Sequence, residues 1–159
     1  MCQDIDMSQE ETVGELEQSV GYLLKRAAAA LRAAMDAALR PLELTVPQYA
    51  CLELLSQRPG LSNAELARGA FVTRQSMNGV LRGLQDRGLV TRPETAPHGR
   101  ARPSELTPGG RQQLHAASAA VRTVEQQMLA SLSSTQRGRL LHDLAACADA
   151  LTPTAATRD

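Results

Sequence analysis

The feature that most constrains the fold is a close succession of three helix-start signatures in the middle of the chain. Thr45 and Ser62 are each followed three residues later by Gln or Glu, the spacing of a capping box. Thr73 is a third N-cap candidate, and Gly88 lies where a helix that begins there would end. This spacing predicts three short helices joined by tight turns.

A small hairpin is predicted directly after these helices. Leu89–Arg92 is β-prone and is limited by Pro93, and Ser104–Leu106 can return as the partner strand after a turn-rich connection that contains Arg100 and Arg102. Two short helices joined by a tight turn and followed by a basic hairpin form a winged helix-turn-helix arrangement. Its second helix enters the major groove of DNA.

Longer helices flank this central part. Apolar residues recur at steps of three and four over about 12–40, before Pro41, and predict one continuous helix. A Thr-Pro pair starts another helix over 107–132, and a serine cap starts a last one over 133–151. The first helix carries alanine around almost its whole circumference, which burial on one side does not require. We therefore expect a second subunit to cover it.

Charge is distributed unevenly along the chain. The 17 basic and 17 acidic residues give a formal net charge of zero. However, the first 20 residues contain six acids and no base, whereas Leu66–Arg102 contains seven arginines and two acids. A basic stretch within a compact lobe is typical of a protein that binds a polyanion, so the zero sum does not exclude a DNA partner.

Three segments resemble the MarR family of bacterial transcriptional regulators: LTVPQYACLELL (Leu44–Leu55), LSNAELARGAFVTRQSMNGVLRGLQDRGLVTR (Leu61–Arg92) and SELTPGGRQQL (Ser104–Leu114). The resemblance extends over about Leu16–Leu151 and implies a sequence-specific DNA-binding regulator. It also implies a homodimer that binds a pseudo-palindromic operator in double-stranded DNA.

The predicted fold is mostly α with a small β-hairpin. A winged helix-turn-helix DNA-binding lobe is expected over 45–106, and the N- and C-terminal helices over 12–44 and 107–152 are expected to form a dimerisation region. Residues 1–11 form a predicted disordered acidic tip, and residues 153–159 a disordered tail.

The predicted recognition helix has one apolar and one polar face. On the polar face, Gln75 and Asn78 carry amides that can read adenine edges, and Arg82 can reach a guanine or a phosphate. Arg74, beside the helix N-terminus, is better placed to clamp a phosphate. The predicted DNA-binding residues are Thr73, Arg74, Gln75, Ser76, Asn78, Gly79, Arg82, Arg100 and Arg102.

Two features of this lobe are unusual. A glycine inside a helix costs roughly 1 kcal/mol relative to alanine, so Gly79 either lets the helix backbone approach DNA closely or is a neutral surface glycine. The family commonly has an acidic residue shortly before the arginine at the wing tip, but Pro97–Arg100 contains none. We therefore predict a mobile wing in the free protein.

The resemblance also implies regulation by a ligand. Similar proteins are often released from DNA by small aromatic or phenolic compounds that bind between the dimer helices and the DNA-binding lobe. Tyr22 and Tyr49 can line such a cleft, with Arg26 as an anion partner, although core packing is the commoner role of a helix tyrosine. The leading hypothesis is therefore a ligand-responsive repressor.

Two other regulators are compatible with the sequence. One is a thiol-based redox sensor; however, Cys2 lies in the acidic tip, and Cys51 and Cys147 lie on apolar helix stretches typical of buried thiols. The other is a helical dimer that binds a small molecule and has lost useful DNA affinity.

Other classes of function find little support in the sequence. His98, His115 and His142 are too widely separated to suggest a metal site. There is no G-x-S-x-G, P-loop or His-Glu-x-x-His motif. We expect no enzymatic activity, no cofactor, no membrane association and a cytoplasmic location.

Overall fold

The computed structural model describes residues 15–92 and 103–152, and it confirms a mostly α fold with a small β-hairpin. Short 3₁₀ helices lie at Leu16–Gln18 and Arg40–Leu42. The main elements are α1 (Val20–Leu39), α2 (Val46–Gln57), α3 (Asn63–Gly69), α4 (Arg74–Asp86), β1 (Val90–Thr91), β2 (Glu105–Leu106), α5 (Pro108–Met128) and α6 (Ser134–Leu151).

The predicted caps determine where the central helices begin. Complete capping boxes form at Thr45 and at Ser62, whose backbone N–H donates to the Glu65 carboxylate at 2.7 Å. Hydrogen bonding of this carboxylate to the Ser62 side chain and backbone lowers the pKa of Glu65. Thr73 caps α4, and Gly88 follows it with a φ of +67°, a left-handed conformation that favours glycine. The predicted three short helices are thus confirmed.

The prediction of one continuous helix over 12–40 is wrong at its N-terminal end. Ser19 has an extended backbone (φ −80°, ψ 116°), and its hydroxyl accepts the N–H of Tyr22 at 3.4 Å. Ser19 is therefore the N-cap of α1, and this local cap interrupts the helix although the apolar period continues through it.

The helix predicted over 107–132 is too long at its C-terminal end. α5 ends at Met128, and a turn follows in which the N–H of Leu132 donates to the carbonyl oxygen of Leu129 at 3.0 Å. Ser133 caps α6 and needs an extended backbone (φ −65°, ψ 164°), so α5 has to end before it.

The core lies inside the central lobe, where α2, α3, α4 and the hairpin pack against the C-terminal end of α1 and the first half of α5. The antiparallel strands pair Val90 with Leu106 and Thr91 with Glu105. The largest fully buried side chains are Leu39, Cys51, Leu52, Leu66, Met77 and Leu84.

Polar contacts fix the connection between α1 and α2 onto the rest of the lobe. Glu43 has a φ of +54°, and its carbonyl oxygen accepts from the Arg87 guanidinium at 2.6 Å. The carbonyl oxygen of Leu42 accepts from the Gln113 side chain at 2.7 Å. These bonds hold the end of α4 and the start of α5 at the same point.

The outer helices leave apolar surface uncovered in the single protomer. Residues 20–30 of α1 are all exposed, and α6 has no buried residue. Exposed apolar side chains on these helices include Val20, Leu23, Leu24, Leu141, Leu144 and Leu151. Within residues 15–92 and 103–152, no helix is long and apolar enough to cross a membrane.

The turn between α3 and α4 is closed by a left-handed residue that is not glycine. The N–H of Val72 donates to the carbonyl oxygen of Ala67 at 3.0 Å, and the N–H of Phe71 donates to that of Arg68 at 3.2 Å. These two bonds define a Schellman motif with Phe71 at its left-handed position, where φ is +56°. A side chain in this conformation costs about 1 kcal/mol relative to glycine.

Candidate nucleic-acid interface

α4 presents one apolar and one polar face, as the sequence predicts. Met77, Leu81 and Leu84 are buried against the lobe. Four of the predicted DNA-binding residues lie on the exposed face: Arg74, Gln75, Gly79 and Arg82. Their side chains, or the backbone at Gly79, are free to meet a partner. Among the described carboxylates, none lies within 4.0 Å of the Arg74 or Arg82 guanidinium.

The hydroxyl groups at the start of α4 are partly used by the cap. Thr73 Oγ1 accepts the backbone N–H of Ser76 at 3.0 Å and donates its own hydrogen to Ser76 Oγ at 2.9 Å. The hydroxyl hydrogen of Ser76 remains available. Ser76 can therefore donate to a phosphate or base, whereas Thr73 mainly fixes the position of the helix start.

Asn78 is tied to α3. The side-chain Nδ2 of Asn63 donates to Asn78 Oδ1. An amide oxygen has two lone pairs, so this bond leaves Asn78 one further acceptor position as well as its N–H donors. Bidentate recognition of adenine needs one donor and one acceptor. Asn78 still offers both, in the side-chain orientation that the bond to Asn63 fixes, and recognition of adenine by Asn78 remains a prediction.

Gly79 lies on the exposed face of α4, and a Cβ built there meets no described atom within 4 Å. Gly79→Ala is expected to raise the melting temperature by about 2–4 °C, because alanine favours the helix by roughly 1 kcal/mol. If the backbone approaches DNA closely, the same change weakens operator binding. Thermal unfolding and fluorescence anisotropy of the variant test both effects; a stabilised variant with unchanged affinity means that Gly79 is a neutral surface residue.

The hairpin is described only at its base. Arg92, which follows β1, is exposed. Arg100, Arg102, His98 and the predicted mobile wing lie outside the described residues.

A cavity of about 290 Å³ lies beneath the hairpin, and we refer to it as the wing-base cavity. The α2–α3 connection, α4 and both sides of the hairpin form its walls. Arg92 is the positively charged residue of the lining. Ser104 is buried, and Asn63 Oδ1 is a buried acceptor without a partner among the described residues. The cavity is lined by Gly60, Leu61, Ser62, Asn63, Leu81, Arg92, Pro103 and Ser104.

The structure does not bring Tyr22 and Tyr49 together within one protomer. Tyr49 packs against the core that buries Leu39, and at 1.5 Å per residue Tyr22 lies about 25 Å from Leu39 along α1. Tyr22 and Arg26 are exposed. A ligand cleft between the two tyrosines remains a prediction that would need the partner subunit.

Tyr49 takes part in a polar cluster between α2 and α5. Burial raises the pKa of the Tyr49 hydroxyl, which interacts with Ser118 and Glu53. Ser118 Oγ also donates to the Glu53 carboxylate at 3.0 Å. This cluster links the central lobe to α5, so packing explains much of the role of Tyr49.

Cys51 is fully buried, and this burial raises the pKa of its thiol to about 12. Because the thiolate is the reactive form, we expect N-ethylmaleimide and hydrogen peroxide to leave Cys51 unmodified in the native protein. Mass spectrometry after treatment, with a denatured sample as the positive control, measures this. Rapid modification of Cys51 in the native protein would contradict this expectation and favour the redox alternative.

The expectation of a buried thiol is wrong for Cys147 in the single protomer: it is exposed, because no residue of α6 is buried there. Cys2 lies outside the described residues. In the described part of the chain, no three His, Cys, Asp or Glu side chains come together as a group that could hold a metal ion.

Comparisons with known proteins agree with this geometry. Residues 42–101 match the sequence profile of the MarR family. The chain is 51% identical over 118 residues to the HTH-type transcriptional repressor Rv2887 of Mycobacterium tuberculosis, covering 74% of this chain and 85% of that protein.

Crystal structures of the same mycobacterial protein superpose on this chain. The complex with DNA has a TM-score of 0.69 at 46% identity and covers 81% of this chain and 97% of the other. The complex with salicylic acid has a TM-score of 0.70 at 47% identity, with coverages of 81% and 96%.

Proposed function

Because this chain belongs to the MarR family of transcriptional regulators, we propose that it is a repressor released from its operator by a small aromatic carboxylate bound in the wing-base cavity. The observation that carries this proposal is the position of the cavity. It lies between the recognition helix and the hairpin, the two elements of a winged helix-turn-helix that meet DNA.

The DNA contacts that we propose follow the exposed face of α4. Arg74 is placed to bind a phosphate, and Gln75 and Arg82 are placed to read base edges. Ser76 acts as a hydrogen-bond donor, and Asn78 presents its amide to a base edge. Thr73 sets the position of the helix, and Gly79 sets how closely it approaches DNA. Arg100 and Arg102 remain proposed contacts of the wing.

The chemistry of the wing-base cavity favours an aromatic acid. Its volume of about 290 Å³ suits a ligand with a single ring. A guanidinium binds a carboxylate through two parallel hydrogen bonds, which gives Arg92 the role of anion partner. The Asn63 side chain, which lines the cavity, favours a hydroxyl or amino substituent on the ring. Salicylic acid, the ligand crystallised with the mycobacterial relative, has both groups.

Ligand binding in this cavity has a direct route to the DNA-binding surface. A bound carboxylate neutralises Arg92, which contributes to the positive charge of the lobe. Asn63 contacts both the cavity and Asn78 on the recognition helix, so a ligand that engages Asn63 shifts a DNA-facing side chain. The ligand then favours the DNA-free protein, because the contacts that the ligand makes differ between the DNA-free and the DNA-bound states.

Salicylate is the probe for this proposal. We expect saturating salicylate to weaken binding to the DNA upstream of the protein's own gene by about tenfold or more, within the usual range of allosteric coupling. Arg92→Ala should lose salicylate binding in calorimetry without DNA, and it should lose the salicylate effect on DNA affinity.

Arg26→Ala is the matched control, because Arg26 is the anion partner that the sequence suggested for a cleft at α1. It should keep the full response. The opposite pattern, with the response lost in Arg26→Ala and kept in Arg92→Ala, would place the ligand at α1 with Tyr22 and Tyr49. Failure of the unmodified protein to bind DNA would instead favour the small-molecule-binding dimer.

We further propose a homodimer on a pseudo-palindromic operator, with 12–44 and 107–152 as the dimerisation region and 45–106 as the DNA-binding lobe. The uncovered apolar side chains of α1 and α6 support this assignment. We propose that the protein acts on chromosomal DNA in the cytoplasm and has no catalytic role.

A further inference from the structure

Phe71 is the most exposed large apolar side chain of the described chain. It is the protein's only phenylalanine, and 95% of its surface is accessible in the turn between α3 and α4. Its side chain therefore contributes almost no apolar burial to the folded protomer.

The backbone at this position makes the residue choice still less favourable for folding. The Schellman turn holds Phe71 at a φ of +56°, where glycine is the residue without strain. The turn itself is built from backbone hydrogen bonds and needs no aromatic ring. A strained and fully exposed aromatic side chain points to a contact outside the protomer.

The surroundings of Phe71 indicate which kind of partner this is. It lies two residues before Thr73, the N-cap of the recognition helix, and is flanked in sequence by the exposed arginines Arg68 and Arg74. It belongs to the DNA-binding lobe, whereas the uncovered apolar side chains proposed for dimerisation lie on α1 and α6. The partner that fits Phe71 and the two arginines beside it therefore carries both negative charges and apolar groups.

We propose that Phe71 contacts the C5-methyl group of a thymine at the edge of the operator half-site. The thymine methyl is the apolar group that each A·T pair presents in the major groove, and phenylalanine is among the side chains that contact it. Arg68 and Arg74 bind the neighbouring phosphates. This inference rests on the proposed function, because it needs the recognition helix to lie in the groove.

Replacement of thymine by deoxyuridine, which removes only this methyl group, tests the contact. Footprinting first locates the binding site in the DNA upstream of the protein's own gene. On a duplex that carries this site, replacing one particular thymine of each half-site should lower the affinity of the unmodified protein by about fourfold. Phe71→Gly should lose a similar factor on the thymine duplex, and it should no longer distinguish thymine from uracil at that position.

Phe71→Asn provides a second variant, since asparagine tolerates the left-handed conformation but offers no apolar group. Both variants should melt at or above the temperature of the unmodified protein, which separates a DNA effect from misfolding. Unchanged affinity in both variants, or a loss that leaves the full sensitivity to uracil, would overturn the proposal. If the unmodified protein binds no DNA, the proposed function fails first, and Phe71 has no operator contact to make.

Discussion

Replacing Gly110 by alanine is expected to lower the free energy of unfolding by about 3 kcal/mol and the melting temperature by roughly 10 °C. Gly110 is buried near the start of α5, and a Cβ there would overlap the carbonyl oxygen of Leu89 and lie 3.4 Å from Leu106 Cδ2. The same carbonyl oxygen accepts the N–H of Thr107 at 3.1 Å. The backbone cannot move apart without breaking this bond at the base of the hairpin.

Gly109→Ala is the matched control for this prediction. A Cβ at Gly109 would lie 3.7 Å from Thr107 Oγ1 and 4.0 Å from the carbonyl oxygen of Gly88, both ordinary contacts. Alanine also has the higher helix propensity, so this neighbour should be neutral or slightly stabilised. Urea denaturation of both variants measures the difference. Equal stability of the two would show that α5 and Leu89 can separate easily.

The local start and stop signals account for most of what the sequence predicts correctly. Thr45, Ser62, Thr73 and Gly88 act through partners no more than a few residues away, so their spacing alone contains the necessary information. Apolar periodicity was a weaker guide to helix ends. It continues across Ser19 and predicted an unbroken helix, whereas the serine side chain accepts a backbone N–H and begins a new one.

The details of the candidate site depend on contacts between distant positions. Asn63 and Asn78 are 15 residues apart and meet only because α3 packs against α4. That contact fixes the orientation in which Asn78 presents its amide. The wing-base cavity likewise needs the α2–α3 connection and both strands of the hairpin to converge. No pattern within one helix contains this information.

Exposure is the other quantity that composition and periodicity do not determine. Phe71 belongs to the residue types most often buried, yet it lies in solvent at the left-handed position of the Schellman turn, while Val72 beside it packs against the core. Tyr49, in contrast, was predicted to line a cleft and is half-buried against Ser118 and Glu53. In both cases the tertiary packing, and not the residue type, decides which surface is free.

A charged residue on the apolar face of α6 is expected to abolish dimerisation and to weaken operator binding by about 100-fold or more. Leu141 is 69% exposed and Leu144 is 43% exposed in the single protomer. In a dimer, binding of one lobe to its half-site raises the effective concentration of the other lobe at the neighbouring half-site. A monomer lacks this increase in affinity. Light scattering of Leu144→Asp should give the mass of one chain, and anisotropy should show the loss of affinity.

Ala146→Asp carries the same charge on the opposite face of α6 and should leave both the dimer and the operator affinity intact. Because the core around Leu39, Leu52 and Met77 lies within one protomer, Leu144→Asp should keep the DNA-binding lobe folded, as circular dichroism and weak binding to a single half-site will show. If Leu144→Asp remains dimeric, α6 does not form the interface. If it becomes monomeric and keeps full affinity, each lobe binds the operator independently, and the two half-sites are not read together.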